Sequence, residues 1–283
     1  MANETTTTTL SELLPEIVYE AMFIANEKSI MRGLVKNYNV PLGAGKNVNV
    51  PIYPRQTAAA VAEGTDLVNA AVDTTSAILT VSEVGLMTTV TDLARKTAAS
   101  NVIADVGRLF GEAIARKMDQ DLMALFDSLS VTVGDGTGAL TAADVFNAVA
   151  KLRSQGLSPD GISCVLHPEI AYDLKANMTN TFADPNAGDV QNEAMRTGFV
   201  GMLAGIPVYE SGNMLDTGSA GDYKGGVIHT DSLGLAVLTD INIEVERDAS
   251  LRADELVGTA TYGVGELNDA YGVAMHMQSS INP

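Results

Sequence analysis

Cysteine, tryptophan and histidine are nearly missing from this chain. Its 283 residues include one Cys, no Trp and three His. A single cysteine, Cys164, excludes an intramolecular disulfide and a cysteine-cluster metal site. His167, His229 and His276 stand far apart, and no H-E-x-x-H or C-x-x-C spacing occurs. Basic residues are also scarce: 17 Lys and Arg face 35 Asp and Glu, a formal net charge of −18. A sequence-reading nucleic-acid binder carries a basic face, so this balance argues against one. No apolar run approaches the roughly 18 residues of a membrane span. The opening MANETTTTTL has neither a basic nor an apolar stretch of the kind that marks a secretory signal, so a chain made and kept in cytosol-like conditions is expected.

Core-forming residues are plentiful. Apolar residues make up 46% and charged residues 18%, enough to build a packed interior and to exclude wholesale disorder. At roughly 150 residues per domain the length suits two domains or one large one.

Along the chain the period changes several times. Residues 1–10 are polar and Thr-rich, a mobile tip. Pro15 suits a first helical turn, and Ile17, Val18, Ala21, Met22, Ile24 and Ala25 give that helix an apolar face. Val48, Val50 and Ile52 then alternate with Asn47, Asn49 and Pro51, which is strand logic, and Pro51 and Pro54 favour an edge. Thr57–Val72 is Ala-rich, and alternation resumes over 77–90. Residues 46–90 thus read as one long hairpin or extended loop. A lone two-stranded hairpin is marginal in water, so this one needs another surface.

Residues 99–129 give the clearest helix. Val106, Leu109, Phe110, Ala113, Ile114, Leu122, Leu125 and Phe126 recur at three- and four-residue steps. Charged residues, Asp119 among them, are assigned to the other faces. At 1.5 Å per residue the helix spans roughly 45 Å, a spine more than a bundle member. Thr141 with Asp144 forms a capping-box pattern, and Gly156 marks the end of that second helix. Ile162–Leu166 is a short strand, and Pro168 opens a helix. Residues 178–200 read as a long irregular loop. Strands are expected at 206–209, 227–229, 256–264 and 270–277; 233–238 is an apolar run, and Ile241, Ile243 and Val245 alternate with Asn242, Glu244 and Glu246. The fold class is α+β.

Two Gly-rich stretches invite chemical readings. Gly43-Ala44-Gly45-Lys46 resembles the end of a phosphate-binding loop, but Asn47 replaces the Ser or Thr and a strand follows. Val133–Ala139 fits G-x-G-x-x-A, but a long helix precedes it and no acidic residue closes the next strand. Both read as turns. His167 and Glu169 read as polar residues at a strand end, and Cys164 as a buried structural thiol. No G-x-S-x-G elbow is present. The acidic charge is uneven, net −5 over residues 1–130 and −13 over 131–283.

An N-terminal arm, an unsupported hairpin, a spine helix and no catalytic constellation make up the set of parts. It resembles the major capsid protein of a tailed bacteriophage with the HK97 fold. The resemblance is carried by Ser163–Tyr172, by Leu203-Ala204-Gly205-Ile206-Pro207-Val208, by Gly225–His229, and by Thr261–Gly265 followed by Ala270–Val273. It implies an N-arm over 1–45, an E-loop over 46–90, a peripheral domain over 91–132 and 237–283, and an axial domain over 133–236. It further implies a non-enzymatic subunit that self-assembles as hexamers and pentamers into an icosahedral shell. That shell would enclose double-stranded DNA bound non-specifically. Portal and scaffolding proteins would be partners, with a decoration protein as an optional addition. No cofactor, metal or membrane is implied, and the location is the virion, assembled in host cytoplasm.

In this family the E-loop lies over a neighbouring subunit, which makes Arg55, Glu63, Asp66 and Asp73 candidate inter-subunit residues. Arg32, Lys36, Arg108, Arg116 and Lys117 are candidate inward-facing charges. Some members weld the shell through a Lys–Asn isopeptide bond. Here no Lys lies between Lys46 and Lys96, so a non-covalent shell is expected. An encapsulin compartment shares the fold and stays open as an alternative at this stage. A nucleotide-dependent enzyme rests only on the two Gly-rich turns.

Overall fold

A computed structural model of the chain describes residues 29–281, except 42, 44, 54, 55, 59, 65, 67, 68, 70, 98–101, 182–201 and 220. Helical positions 102–104 and 178–181 are described for backbone only. The expected helix after Pro15, the mobile tip, Arg55, and residues 182–200 of the expected loop lie outside the described residues.

The chain builds two sheets and a separate hairpin. The first sheet has four strands in the order β1 (Lys36–Asn39), β10 (Leu233–Asp248), β11 (Ala253–Glu266) and β4 (Ser82–Thr91). β1 runs parallel to β10, and the other pairs are antiparallel. The second sheet has six strands in the order β5 (Thr132–Val133), β12 (Gly272–Gln278), β9 (Asp222–His229), β6 (Ile162–Leu166), β8 (Ile206–Glu210) and β7 (Met202–Leu203). β2 (Asn47–Ile52) and β3 (Thr75–Thr80) pair only with each other, antiparallel, with Val48 opposite Leu79 and Val50 opposite Ala77.

Four α-helices accompany these strands among the described residues: α1 (Asp92–Thr97), α2 (Val102–Ala124), α3 (Ala142–Ser154) and α4 (Pro168–Thr181). The spine α2 ends in a 3-10 turn, Leu125–Ser128. Its inner face carries Val106, Phe110, Ile114, Met118 and Leu122, and packs on Leu235, Ile241, Ile243, Leu256 and Tyr262 of the four-stranded sheet. Helices α3 and α4 cover the six-stranded sheet through Val145, Val149, Leu152, Ile170 and Leu174. The centre of that sheet, β6, is buried along its whole length, as a strand with neighbours on both sides must be. Thr141 caps α3: its backbone N–H and its hydroxyl donate to Asp144 Oδ2 at 3.0 and 2.6 Å. Gly156 follows in the left-handed conformation, φ 75°, as the stop.

Three sequence expectations change. The apolar run 233–238 and the alternating stretch 241–245 belong to one strand, β10, with register shifts between Val237 and Asn242. A bulge lets a long strand bend without ending, and no turn residue marks it. The hairpin is also shorter than 46–90: its pairing ends at Thr80, and Ser82–Thr91 joins the four-stranded sheet instead. The alternation is continuous across this corner, so periodicity alone could not show the change of partner. Finally, Leu109 and Ala113 leave the spine's buried face; Leu109 is 62% exposed.

Candidate inter-subunit site

The corner between β3 and β4 is held against the body by missing side chains. A Cβ on Gly263 of β11 would lie 2.3 Å from the Thr80 carbonyl oxygen, and one on Gly265 would lie 2.6 Å from Leu79 Cδ2. Only glycine allows the strands to cross that closely. Leu79 and Val81 then bury with Val40, Ala236 and Leu267, and Val81 N–H donates to the Lys46 carbonyl at 2.9 Å. The root of the hairpin is therefore fixed by a small core of its own.

Beyond the root, burial stops. Residues 71–76 are all exposed, as are Tyr53, Val61 and Ile78. Val50 and Ile52 are half-buried on one face of a ribbon only two strands wide. Of the candidate contact residues, Glu63, Asp66 and Asp73 are exposed on this outer part, and Arg55 lies outside the described residues. Apolar side chains on a two-stranded ribbon cannot be covered from within. A rigid root with an uncovered, partly apolar tip is a geometry for reaching another surface.

A second anchor ties the N-terminal approach to the spine. Asp119 of α2, assigned to an outer face from the sequence, is fully buried. Its carboxylate accepts from Ser29 Oγ at 2.7 Å, Ile30 N at 3.1 Å, Met31 N at 3.3 Å and Asn213 Nδ2 at 3.4 Å. Burial raises its pKa despite these donors, because removal from water penalises the charge more than the four contacts favour it. Met31 is fully buried beside it in the main core. Nothing in the spacing of the spine distinguishes Asp119 from its exposed neighbours; its partners come from residues remote in sequence.

The five basic candidates are not gathered on one face. Arg32 pairs with Asp240 at 3.0 Å and Lys36 with Asp231 at 2.7 Å. The Asp231 contact raises the Lys36 pKa. Arg116 pairs with Glu112 at 3.5 Å and Lys117 with Asp121 at 2.6 Å, one helical turn apart. Arg108 is exposed on α2, and at about 3.6 residues per turn it falls opposite Lys117.

A third cluster closes the outer end of the four-stranded sheet. Arg247 donates to both oxygens of Asp92, at 2.8 and 2.7 Å, and to Asp254 Oδ1 at 3.0 Å. Arg95 reaches Asp254 Oδ2 at 3.0 Å. The Arg247 guanidinium holds the Asp92 carboxyl below the usual range.

The Gly-rich loop at 133–139 has a packing role. A Cβ on Gly134 would lie 2.3 Å from the His276 carbonyl oxygen, one on Gly136 would lie 2.7 Å from its Nε2, and Gly136 N–H donates to that carbonyl at 3.0 Å. The glycines let the loop cross β12. Cys164 is buried, and burial pushes its thiol up to about 12. Among the described residues no His, Cys, Asp and Glu group has metal-holding geometry, and no helix is long and apolar enough to cross a membrane.

Solved capsids share this architecture. The capsid protein of cyanophage P-SCSP1u superposes with a TM-score of 0.70 at 18% identity, over 89% of each chain. The head of Helicobacter pylori bacteriophage KHP40 gives 0.69 at 12% identity, over 88% of this chain and 92% of the other. Mycobacterium phage Che8 gives 0.64 at 20% identity, over 82% and 84%. At these identities the likeness establishes the HK97-type fold. No curated protein matches the chain. The profile described as phage capsid protein matches residues 74–275, from the hairpin's return strand to the last strand of the six-stranded sheet. With that match spanning most of its length, the chain belongs to the phage capsid protein family and is a capsid structural subunit.

Proposed function

We infer that this chain is the shell-forming subunit of a tailed-phage head, assembling as hexamers and pentamers around packaged double-stranded DNA. The observation that carries this is the hairpin: rooted by Leu79 and Val81, and uncovered beyond them. Specific interfaces bury more than about 1,000 Å² in total, and an extended ribbon supplies area that a compact body would have to grow to provide. In a closed shell each subunit is held by several such contacts at once, so each can be modest.

The division of labour proposed here cuts across the sheets. The N-terminal arm occupies 1–45 and the E-loop 46–90, with its paired part ending at Thr80. A peripheral domain over 91–132 and 237–283 holds the spine and the outer part of the four-stranded sheet. An axial domain over 133–236 holds α3, α4 and most of the six-stranded sheet. β12 crosses from the first to the second, so the two are joined through a shared sheet.

DNA contact is weak and non-specific in this reading, since four of the five basic candidates are matched by carboxylates of the same chain. Scaffolding and portal proteins supply size control and the packaging vertex, and a decoration protein is an optional exterior partner. Negative-stain electron microscopy of the purified full chain, alone and coexpressed with a scaffolding candidate, tests the assignment. Polyhedral shells or rings of five and six support it. A monodisperse monomer under all conditions would overturn it.

A further inference from the structure

β4 is an edge strand that its sequence leaves unprotected. It runs for ten residues, Ser82–Thr91, in unbroken register with β11. It contains no Pro and no Lys, and its one charge, Glu83, stands near its start. Sheets blunt their free edges with short strands, lysine, proline or bulges, because a long flat edge is a template for another chain. The opposite edge of the same sheet obeys this rule. There β1 is four residues long, begins with Lys36 and is followed two residues later by Pro41. Both connections of β4 also leave its edge clear. At its start the chain turns over β11, where the Thr80 carbonyl lies against Gly263. At its end α1 folds back over the sheet, and Arg95 reaches Asp254 of β11. Among the described residues no strand lies beyond β4.

Apolar surface collects along this edge on both faces of the sheet. On the spine's side a hollow of about 400 Å³ is lined by Leu86, Thr88, Val106, Leu109 and Phe110, with Leu109 exposed in it. Successive strand side chains alternate, so Met87 turns to the opposite face, where it is 60% exposed beside Val257 of β11. A cover for this edge must therefore meet two apolar faces and the backbone between them. A strand added to the edge does all three, whereas a helix laid in the hollow covers one face only.

We propose that β4 pairs antiparallel with β4 of a second copy, about a two-fold axis through Met87, joining the two four-stranded sheets into one. Such a contact uses the same patch on both partners and closes on itself. Met87 then opposes Met87 of the second copy, Leu86 opposes Thr88, and Glu83 opposes Thr91. Val257 and Met87 of both copies form one apolar stripe across the joined sheet. The two Glu83 carboxylates stand at opposite ends of the pair, each facing a hydroxyl, so no like charges are opposed. A two-fold of this kind puts both spines on the same face, and the two hollows meet across the axis. The nine paired residues span about 31 Å. With sheet and helix layers together about 20 Å deep, the contact buries roughly 1,200 Å² in total, above the 1,000 Å² or so that a specific interface needs. The pairing deepens the shell reading and rests on it for its setting, a two-fold between neighbouring subunits.

The test places single cysteines in the full chain, where Cys164 is buried and does not compete. Met87→Cys is treated with a short bis-maleimide and read on a denaturing gel, in dissociated subunits and in assembled particles. A linked dimer is expected in particles. Glu83→Cys in one tagged chain should link to Thr91→Cys in a differently tagged chain, and Glu83→Cys should not link to itself. Met87→Lys gives an independent reading. Isolated subunits should melt as the parent does, because the side chain is exposed. The yield of particles should fall about tenfold, since two ammonium groups would face each other at the axis. Met87→Leu should keep the parental yield. Equal yields from the Lys and Leu variants, self-linking of Glu83→Cys, or intact particles in which neither arrangement links would overturn the pairing and leave the shell reading standing. A linked dimer of subunits that forms no particle under any condition would instead keep the pairing and remove the shell reading.

Discussion

The Ser29 hydroxyl donates to Asp119 at 2.7 Å, a contact between residues 90 positions apart that fastens the N-terminal approach to the C-terminal part of the spine helix. Two further backbone donors and Asn213 complete the cluster around one buried carboxylate. Removing the acceptor strands four donors at once. Asp119→Ala should therefore cost about 2–4 kcal/mol of subunit stability, since orphaned buried donors carry their full desolvation penalty. Urea unfolding of dissociated subunits checks this through a lower midpoint at unchanged slope.

The same residue sets a pH dependence. The folded pKa of Asp119 is raised above its unfolded value of 3.8, chiefly by burial. The folded state then binds the proton more tightly, so the Asp119 contribution is fully present below the unfolded pKa and is lost as pH rises through the folded one. Asp119→Asn has no such titration. Stability relative to Asp119→Asn should thus decline as pH is raised from about 4 towards neutrality, measured as the difference between two denaturation series. A flat difference would remove burial as the dominant influence on this carboxylate.

Arg247 and Asp92 work with the opposite sign. The Asp92 pKa is lowered, first by its hydrogen bonds to Arg247, so its contribution is present above the unfolded pKa and is lost as pH falls through the depressed value. Arg247→Ala should shift acid unfolding to higher pH. Arg247→Lys should recover only part of the shift, because an ammonium cannot reproduce the two-pronged contact. Circular dichroism across an acid titration of all three proteins decides it.

The capsid architecture was legible in the order of its parts: the strand-like 46–52, the spine, the capping box at Thr141 and the strand Ile162–Leu166 all stand where their local patterns put them. Those features depend on residues near in sequence. The changes came where a distant partner decides the outcome. The corner at Val81 is invisible because both its strands alternate in the same way. Asp119 looks like any helical carboxylate until Ser29 and Asn213 arrive. Leu109 fits the spine's period but stands exposed in a hollow beside Leu86 and Thr88 of β4. The Gly134 and Gly136 turn borrowed a nucleotide-loop spelling for a different need, passage across His276.

Gly263 offers a local test of the corner. Alanine there would place a methyl group 2.3 Å from the Thr80 carbonyl oxygen, so β3 and β4 must move. Gly263→Ala should destabilise the subunit by about 1–3 kcal/mol, the usual range for overpacking. Gly212 has open space within 4 Å and is the matched control. Thermal unfolding of Gly263→Ala and Gly212→Ala should separate them clearly, and equal melting would show that the close crossing is unimportant.

Covalent welding and non-covalent draping make different predictions for the assembled shell. An isopeptide bond needs a lysine amine on the reaching ribbon, and the described part of the hairpin from Asn47 to Thr80 contains none; the full sequence adds none before Lys96. Boiled, reduced particles should therefore run as a single band near 29.6 kDa, with no ladder. Part of the holding strength should then come from the exposed apolar residues on the ribbon. Tyr53→Ser with Ile78→Ser removes two of them from positions that contribute little to the subunit's own core. The double variant should melt within about 0.5 kcal/mol of the parent as a subunit, as exposed substitutions usually do. Its particles should dissociate at lower urea than the parent's, followed by light scattering. Parent-like particle stability would mean that the ribbon's apolar tip carries none of the contact between subunits.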